Sequence, residues 1–485
     1  MNKVKKIPEV NNNSSIVAKA GLWYTICNFL FRGMAFITTP IFTRLLSKDE
    51  LGTFSNFSSW ISILTVVTSF DLAQSVIRSK LEHEDDMDSY MWSILAFSTI
   101  WTVVVYFIVC LFPAFFSKMF QVDMKYIHIM FLYLLVAPAY SMFITKQRAF
   151  YRYKTFVVLT GIMTISGTLL SLIMVVLMDD DKLAGRIFGY YIPYIAISAV
   201  IYVLIIAKGR KVKIGYWRYA CVICLPLVPH TLSLYLLSSS DKIIITNLCG
   251  AEYTAIYSVA YSAYHIVTIL FDSMNKAWAP WLLESLHMQR YNEIQKISKI
   301  YIGLFAIFIG GIMLIVPEII FILGGKQYHN AVYCLPPLIT SCMFQFVYTM
   351  YVNIEFYEKK TLGVCIATII ATGINIVLNL IFIPMSSEYS YIIAAYTTLC
   401  GYMVLFVLHY VIVKKMKKDF VYDIKFIVCL LGIIFILSLS MNYFYNYTII
   451  RYITILFYGI VILYLGLKNK YNIARIFKNT TKGKK

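Results

Sequence analysis

Charge is scarce in this sequence. Asp, Glu, Lys and Arg make up 14% of its 485 residues, against about 25% in an ordinary soluble domain, and this alone excludes a soluble globular chain. Motifs that carry common chemistry are missing as well: there is no GxSxG elbow, no HExxH pair, no Walker loop and no dinucleotide fingerprint. Hydrolytic, zinc-assisted and nucleotide-driven reactions therefore have nothing to rest on. Ten cysteines are present, but Cys27, Cys110, Cys221, Cys224, Cys342, Cys365, Cys400 and Cys429 lie inside apolar runs. Their spacing fits no zinc site and they have no loops to staple, which leaves them as small core residues. No segment between the apolar runs exceeds about twenty residues, so no large loop exists to carry a catalytic apparatus.

What is abundant is apolar length. Hydrophobic residues make up 60% of the chain and the mean hydropathy is +0.72. A hydrocarbon core of about 30 Å takes about 20 apolar residues per helix. Fourteen such runs follow one another: 16–46, 53–78, 90–114, 124–146, 155–178, 186–208, 219–249, 254–284, 298–323, 331–354, 361–383, 389–413, 424–443 and 449–467. The pattern implies an all-α polytopic membrane protein of about 14 transmembrane helices, with both termini on one side. Segment 1–15, basic and Asn-rich, has no small-residue cleavage site after a short apolar core and is expected to be a tail, not a removable signal peptide.

Lys and Arg divide the connecting segments into two alternating sets. One set, with the N-terminal tail, 146–154, 208–218, 414–425 and the tail from Lys468, holds 32 of the 43 basic residues, and the opposite set holds 8. The basic set is cytoplasmic by the positive-inside rule, which turns Asp179 to Asp181 and the tight turns at Gly250 and Gly324–Gly325 outward. A net charge of +19 then reflects topology and attraction to the anionic headgroups of membrane lipids, not a nucleic-acid partner. The 16% of aromatic residues, rich in Tyr, fits interfacial belts.

An ionisable side chain at bilayer depth costs about 2.5–3.5 kcal/mol on insertion scales, so each needs a partner or a wet cavity. Thr25, Asn28, Arg32, Thr39 and Thr43 form a polar stripe along the first span. Arg32 is thus expected to face the bundle interior, either lining a cavity or pairing with an acid such as Asp71 to lock two helices. Asp71 and Arg78 lie in the second span, and Asp241 and Lys242 are adjacent in the seventh. Asp272 and Lys276, four apart in the eighth, have the order of a local helical salt bridge; the alternative is a cavity shared with Arg32. His230 and His265 are of the residue type that carries protons near neutral pH when unperturbed but are expected as helix–helix hydrogen-bond partners. Glu355 and Glu358, followed by Lys359 and Lys360, are expected at a solvated cytoplasmic helix end.

The chain also repeats itself. Leu45, Asp49, Gly52, Phe54 and Ser55 correspond to Leu248, Glu252, Ala255, Tyr257 and Ser258, all at an offset of 203, the mark of a duplicated half. With PIFTRLLS (40–47) and SDKIII (240–245) before these turns, the chain resembles the polysaccharide-export branch of the multidrug/oligosaccharidyl-lipid/polysaccharide exporter superfamily. The resemblance implies two six-helix bundles, at 16–213 and 214–418, related by a pseudo-twofold axis along the membrane normal. Two added helices at 419–467 and a basic tail at 468–485 follow. It further implies a flippase, not an enzyme, in a bacterial cytoplasmic membrane with both termini cytoplasmic. Such a protein carries an undecaprenyl-diphosphate-linked oligosaccharide repeat unit across by alternating access, for O-antigen, capsule or exopolysaccharide. A polysaccharide polymerase and chain-length machinery are its expected partners.

No cofactor is expected, and the energy would come from an H+ or Na+ gradient, the membrane potential or the substrate gradient. A diphosphate needs cations at depth. Arg32 and Lys276, with Asn28 and Lys242, are the substrate-binding candidates; Asp71, Arg78, Asp241 and Asp272 are the coupling or gating candidates. Superposed halves would gather them around one central cavity. A multidrug exporter of organic cations would favour carboxylates there, a glycosyltransferase or polymerase would need a large external loop, and a peptidoglycan-precursor flippase shares the diphosphate chemistry. The orientation has a direct check: cysteines introduced at Asp180 and Lys326 should react with an impermeant thiol reagent from outside intact cells, and one at Lys211 should not.

Overall fold

The computed structural model describes residues 13–468, except for the side chains of 13–22, 25, 28, 29, 31, 32, 35, 465 and 466. The first helix, α1 (Asn13–Leu45), contains Pro40 near its end and hands over to α2 (Lys48–Ser69) through a capping box. Ser47 Oγ accepts from the Glu50 N–H at 3.2 Å, and the Glu50 carboxylate accepts from the Ser47 N–H at 2.7 Å, so two otherwise orphaned donors are satisfied reciprocally.

The expected second span does not run straight. Phe70 and Asp71 both adopt left-handed conformations, with φ of 48° and 51°, and after a 61° bend the chain resumes in a 3₁₀ turn and α3 (Ser75–Glu82). Each such non-glycine residue costs of order 1–3 kcal/mol. Leu72 and Val76, buried with Met91 of α4 (Met87–Leu111), help to hold the break in place.

A short α5 (Pro113–Phe120), then α6 (Met124–Ala149), α7 (Tyr153–Leu177) and α8 (Lys182–Lys208) complete the N-terminal bundle. Next come α9 (Ile214–Cys224) and α10 (Val228–Leu248), bent by 57° to each other. Ala220 and Cys224 of α9 are buried with Met91 and Ile94 of α4, and Trp217 Nε1 donates to the Ser93 carbonyl at 2.7 Å. The seventh span therefore begins against the first bundle and ends in the second.

The C-terminal bundle comprises α11 (Ala251–His287), α12 (Tyr291–Leu314), α13 (Val316–Gly324), α14 (Leu335–Tyr357), α15 (Thr361–Phe382) and α16 (Ser390–Lys415). Two further helices are α17 (Ile424–Phe444) and α18 (Thr448–Lys468). Among the described residues nine helices are individually long and apolar enough to cross a membrane, or twelve when each of three bent pairs is one span. With α1 and α18 the fourteen expected spans are accounted for. The added helices are tied by ion pairs: Arg451 meets Glu318 of α13 with both nitrogens, at 2.5 and 2.6 Å, and Lys299 Nζ lies 2.6 Å from Asp423. The Lys299 ammonium holds the Asp423 carboxyl below its ordinary pKa.

The duplication is visible in the helix ends. α1 stops at Leu45 and α2 starts at Lys48; α10 stops at Leu248 and α11 starts at Ala251, each 203 residues later. Gly250, with φ +114°, takes the cap position that Ser47 holds in the first copy, a conformation open to glycine without strain. The equivalent helices α2 and α11 pack on each other here, so tightly that a Cβ on Gly52 would lie 1.7 Å from the Ala251 carbonyl oxygen. Beside this contact Thr43 Oγ1 donates to the Leu323 carbonyl at 2.7 Å, and Gln327 Nε2 donates to the Thr43 carbonyl. All of these contacts lie at the charge-poor end, where the two halves are closed onto each other.

Overpacking of this kind costs about 1–3 kcal/mol. Gly52→Val should lower the melting temperature of the purified protein. It should also reduce several-fold the crosslinking of a cysteine pair introduced by Thr43→Cys and Gln327→Cys, measured against the same pair with Gly52 intact.

Candidate functional site

On α8, Gly185 and Gly189 are four apart and let α7 approach closely. A Cβ on Gly189 would lie 2.4 Å from the Ser171 Cα, and one on Gly185 would lie 2.8 Å from the Met174 carbonyl, the small-residue packing that membrane helices use. Between these glycines stands Arg186. Its Nη1 donates to Ser171 Oγ at 2.8 Å, and the Ser171 hydroxyl donates back to the Arg186 carbonyl at 3.1 Å. The guanidinium lies over the ring of Phe42 from α1 at 3.6 Å and that of Phe54 from α2 at 4.1 Å, with Tyr190 at 5.4 Å. Such contacts contribute about 2 kcal/mol or more when desolvated and offset part of the cost of burying the charge. Arg186 is 9% exposed, has no carboxylate partner among the described residues, and leaves its Nε without a hydrogen bond.

Arg186 opens onto a chamber of about 350 Å³ inside the N-terminal bundle, walled by α1, α2, α6, α7 and α8. This is within the range of about 300–1,000 Å³ typical of small-molecule sites. Of the thirteen described residues that line it nine carry hydroxyls, namely Thr38, Ser58, Ser62, Tyr133, Thr164, Thr168, Tyr190, Tyr191 and Tyr194, and none of the thirteen carries a carboxylate. The chemistry suits a polyol with a negative charge and repels an organic cation. Arg186 was not among the residues the sequence pointed to, because it fell among the basic residues of a connecting segment. A sixth span starting at Lys182 instead of 186 would have put it one turn inside a helix, flanked by the glycine pair.

A second polar cluster lies in the C-terminal bundle. Asp241 is fully buried and accepts hydrogen bonds from Tyr257 at 2.6 Å, Thr398 at 2.5 Å and Asn379 at 2.6 Å, so α10, α11, α16 and α15 converge on one carboxyl group. Lys242 points elsewhere, with Nζ 4.6 Å from the centre of the Tyr261 ring.

The remaining candidates are spread out. Asp71 is half-buried at the bend after α2, and Arg78 is exposed on α3, 3.0 Å from Glu82. On α11, Asp272 is half-buried and Lys276 exposed, and no ion pair joins them among the described residues. The side chains of Asn28 and Arg32 lie outside the described residues, while the helix that carries them lines the chamber through Met34 and Thr38. Among the described residues, then, the structure places Arg186 in one bundle and the Asp241 network in the other.

Two expectations are corrected. Glu355 is not a solvated helix end: it is 0% exposed, its Oε1 lies 2.6 Å from Nδ1 of the equally buried His409, and Tyr348 stacks on that imidazole at 5.3 Å. Glu358 does lie nearer the surface, 3.2 Å from Lys418. All ten cysteines are free as expected, but Cys110, Cys400 and Cys429 are exposed on the bundle surface and not in the core.

Residues 17–286 match the family model for a polysaccharide biosynthesis protein, over more than half of the chain. The chain belongs to this family. Its fold is similar to that of the lipid II flippase MurJ in an inward closed conformation, with a TM-score of 0.64 at 14% identity over 93% of this chain and 100% of that one. It is also similar to a mutant of the Vibrio cholerae MATE transporter VcmN, with a TM-score of 0.50 at 12% identity over 83% of this chain and 98% of that one. No curated protein sequence matches.

Removing a buried acceptor strands its donors at about 1–3 kcal/mol each, and more when the acceptor is charged. Asp241→Ala should therefore lower the yield and melting temperature of the purified protein strongly, and Asp241→Asn, which keeps an acceptor oxygen, distinctly less; paired thermal melts check this.

Proposed function

We propose that this protein flips an undecaprenyl-diphosphate-linked oligosaccharide across the bacterial cytoplasmic membrane for the synthesis of a surface polysaccharide. The observation that carries this reading is the chamber chemistry: among the described residues, hydroxyls and one cation without a carboxylate partner, with no carboxylate in the lining, suit a glycan and disfavour the organic cations of a multidrug exporter. The basic end of the bundles is assigned to the cytoplasm, so the charge-poor end, closed by α2 on α11, faces outward. Opening there while the basic end closes is the alternating-access step. Membership of a polysaccharide-biosynthesis family favours an oligosaccharide over the peptidoglycan precursor, since likeness to a lipid II flippase at 14% identity speaks to fold alone.

Arg32 and Lys276, with Asn28 and Lys242, remain the candidates for the diphosphate, whose two charges call for cations at depth. Lys276, exposed on α11 and without an ion pair among the described residues, is available for that role. Asp241, with three neutral donors around one carboxyl, is the strongest of the coupling candidates for an H+ or Na+ gradient, and Asp71 at the bend in the second span is the gating candidate.

Deleting the gene in its host should make a lipid-linked oligosaccharide accumulate on the cytoplasmic leaflet, detected by extraction and mass analysis. Accumulation of the peptidoglycan precursor instead would decide for the other flippase. In the complemented strain Arg32→Ala should abolish surface polysaccharide at a near-normal protein level, and Arg32→Lys should restore only part, because a point charge replaces the planar fork.

A further inference from the structure

Among the described residues two arginines are deeply buried, and they differ in whether a carboxylate faces them. Arg451, 4% exposed, has its charge paired: Glu318 takes both terminal nitrogens and the Leu314 carbonyl accepts from Nη1 at 3.0 Å, while its Nε is buried without a hydrogen bond. Arg186, 9% exposed, has only the Ser171 hydroxyl as a hydrogen-bond acceptor among the described residues, and no carboxylate. A guanidinium carries five N–H donors in a planar fork and matches a carboxylate or phosphate through two of them at once. Phe42 and Phe54 cover the plane of Arg186, and Ser171 takes Nη1. What remains is the edge formed by Nε, buried and without a partner, and Nη2, which makes no hydrogen bond among the described residues. That edge belongs to a side chain lining the hydroxyl-rich chamber.

We propose that Arg186 is an anion-binding residue of the chamber, taking a carboxylate or phosphate of the translocated molecule side-on through Nε and Nη2. The proposal rests on the glycan-flippase reading for what enters the chamber, and on the geometry alone for what Arg186 holds. Stacking between Phe42 and Phe54 prevents the guanidinium from turning toward another partner, and Ser171 sets its rotation in the plane. The chamber hydroxyls, Ser58, Thr164 and Tyr194 among them, are placed for the polyol attached to the anion. Two parts of a lipid-linked glycan carry such a group: an acidic sugar and the carrier diphosphate. If Arg186 served only to pin α8 against α1 and α2, the stacking would suffice and the chamber would show no preference for anions.

The test uses the purified full-length protein in nanodiscs at low salt, with three probes measured by titration calorimetry: methyl glucuronide, its neutral counterpart methyl glucoside, and inorganic pyrophosphate. The expected result is that one anion binds at least tenfold more tightly than the glucoside. Preference for the glucuronide identifies an acidic sugar as the source, and preference for pyrophosphate identifies the carrier. Arg186→Gln should erase the preference and Arg186→Lys should retain a fraction of it. A wild-type protein that binds neither anion better than the glucoside overturns the proposal whether or not the variants fold, and so does a folded Arg186→Gln protein that keeps the preference. If the anion binds but gene deletion leaves surface polysaccharide unchanged, the flippase reading fails and the site stands. If deletion abolishes export but no anion is preferred, the site fails and the reading stands.

Discussion

The closure of α2 on α11 at Gly52 is the contact on which the arrangement of the two halves depends. It joins the corresponding helices of the two copies at corresponding ends, and the Ala251 carbonyl occupies the space of a missing side chain. Because the halves are related by duplication, one small residue at one crossing sets the approach of both. The hydrogen bonds of Thr43 to Leu323 and of Gln327 to Thr43 extend the seam along the same end. A seam made of close van der Waals contact and a few hydrogen bonds is the kind of interface that opens as a unit, since packed surfaces have discrete arrangements and do not deform continuously.

Within the bundles, the placing of charge follows from the cost of leaving it alone in hydrocarbon. Each buried ionisable group described here has a recognisable solution. Arg451 takes a carboxylate, Asp241 takes three neutral donors, Glu355 takes His409, and Lys242 takes an aromatic face. Arg186 is satisfied in part, by two rings and one hydroxyl, and lines a chamber that nine hydroxyls make polar. A charge with no carboxylate partner beside a cavity is a natural place to hold a ligand, because one already paired with a carboxylate has little charge left to offer.

Span count and duplication were legible because both are one-dimensional. Runs of about 20 apolar residues record the thickness of the bilayer, and the offset of 203 between Leu45 and Leu248 is the offset between the helix ends themselves. The breaks were not legible. Phe70 and Asp71 leave the helix without a glycine or proline to announce it, held by the packing of Leu72 and Val76. Nor was the partner of Glu355, because His409 is 54 residues away and nothing local distinguishes a buried glutamate near a helix end from a solvated one.

The sequence alone determined that the chain lies in a membrane, that it has about fourteen spans in two copies, and that it belongs to a polysaccharide biosynthesis family. These are consequences of composition, length and repeat, which need no knowledge of neighbours. Only the tertiary structure decided which ionisable groups share a site. Arg186 became notable when Gly185 and Gly189 let α7 approach and Phe42 and Phe54 arrived from helices more than 130 residues earlier, and Asp241 when three other helices brought it donors. A charge in a sequence has a cost, but whether that cost is met by a carboxylate, a ring, a hydroxyl or a ligand depends on what the fold brings within about 4 Å of it.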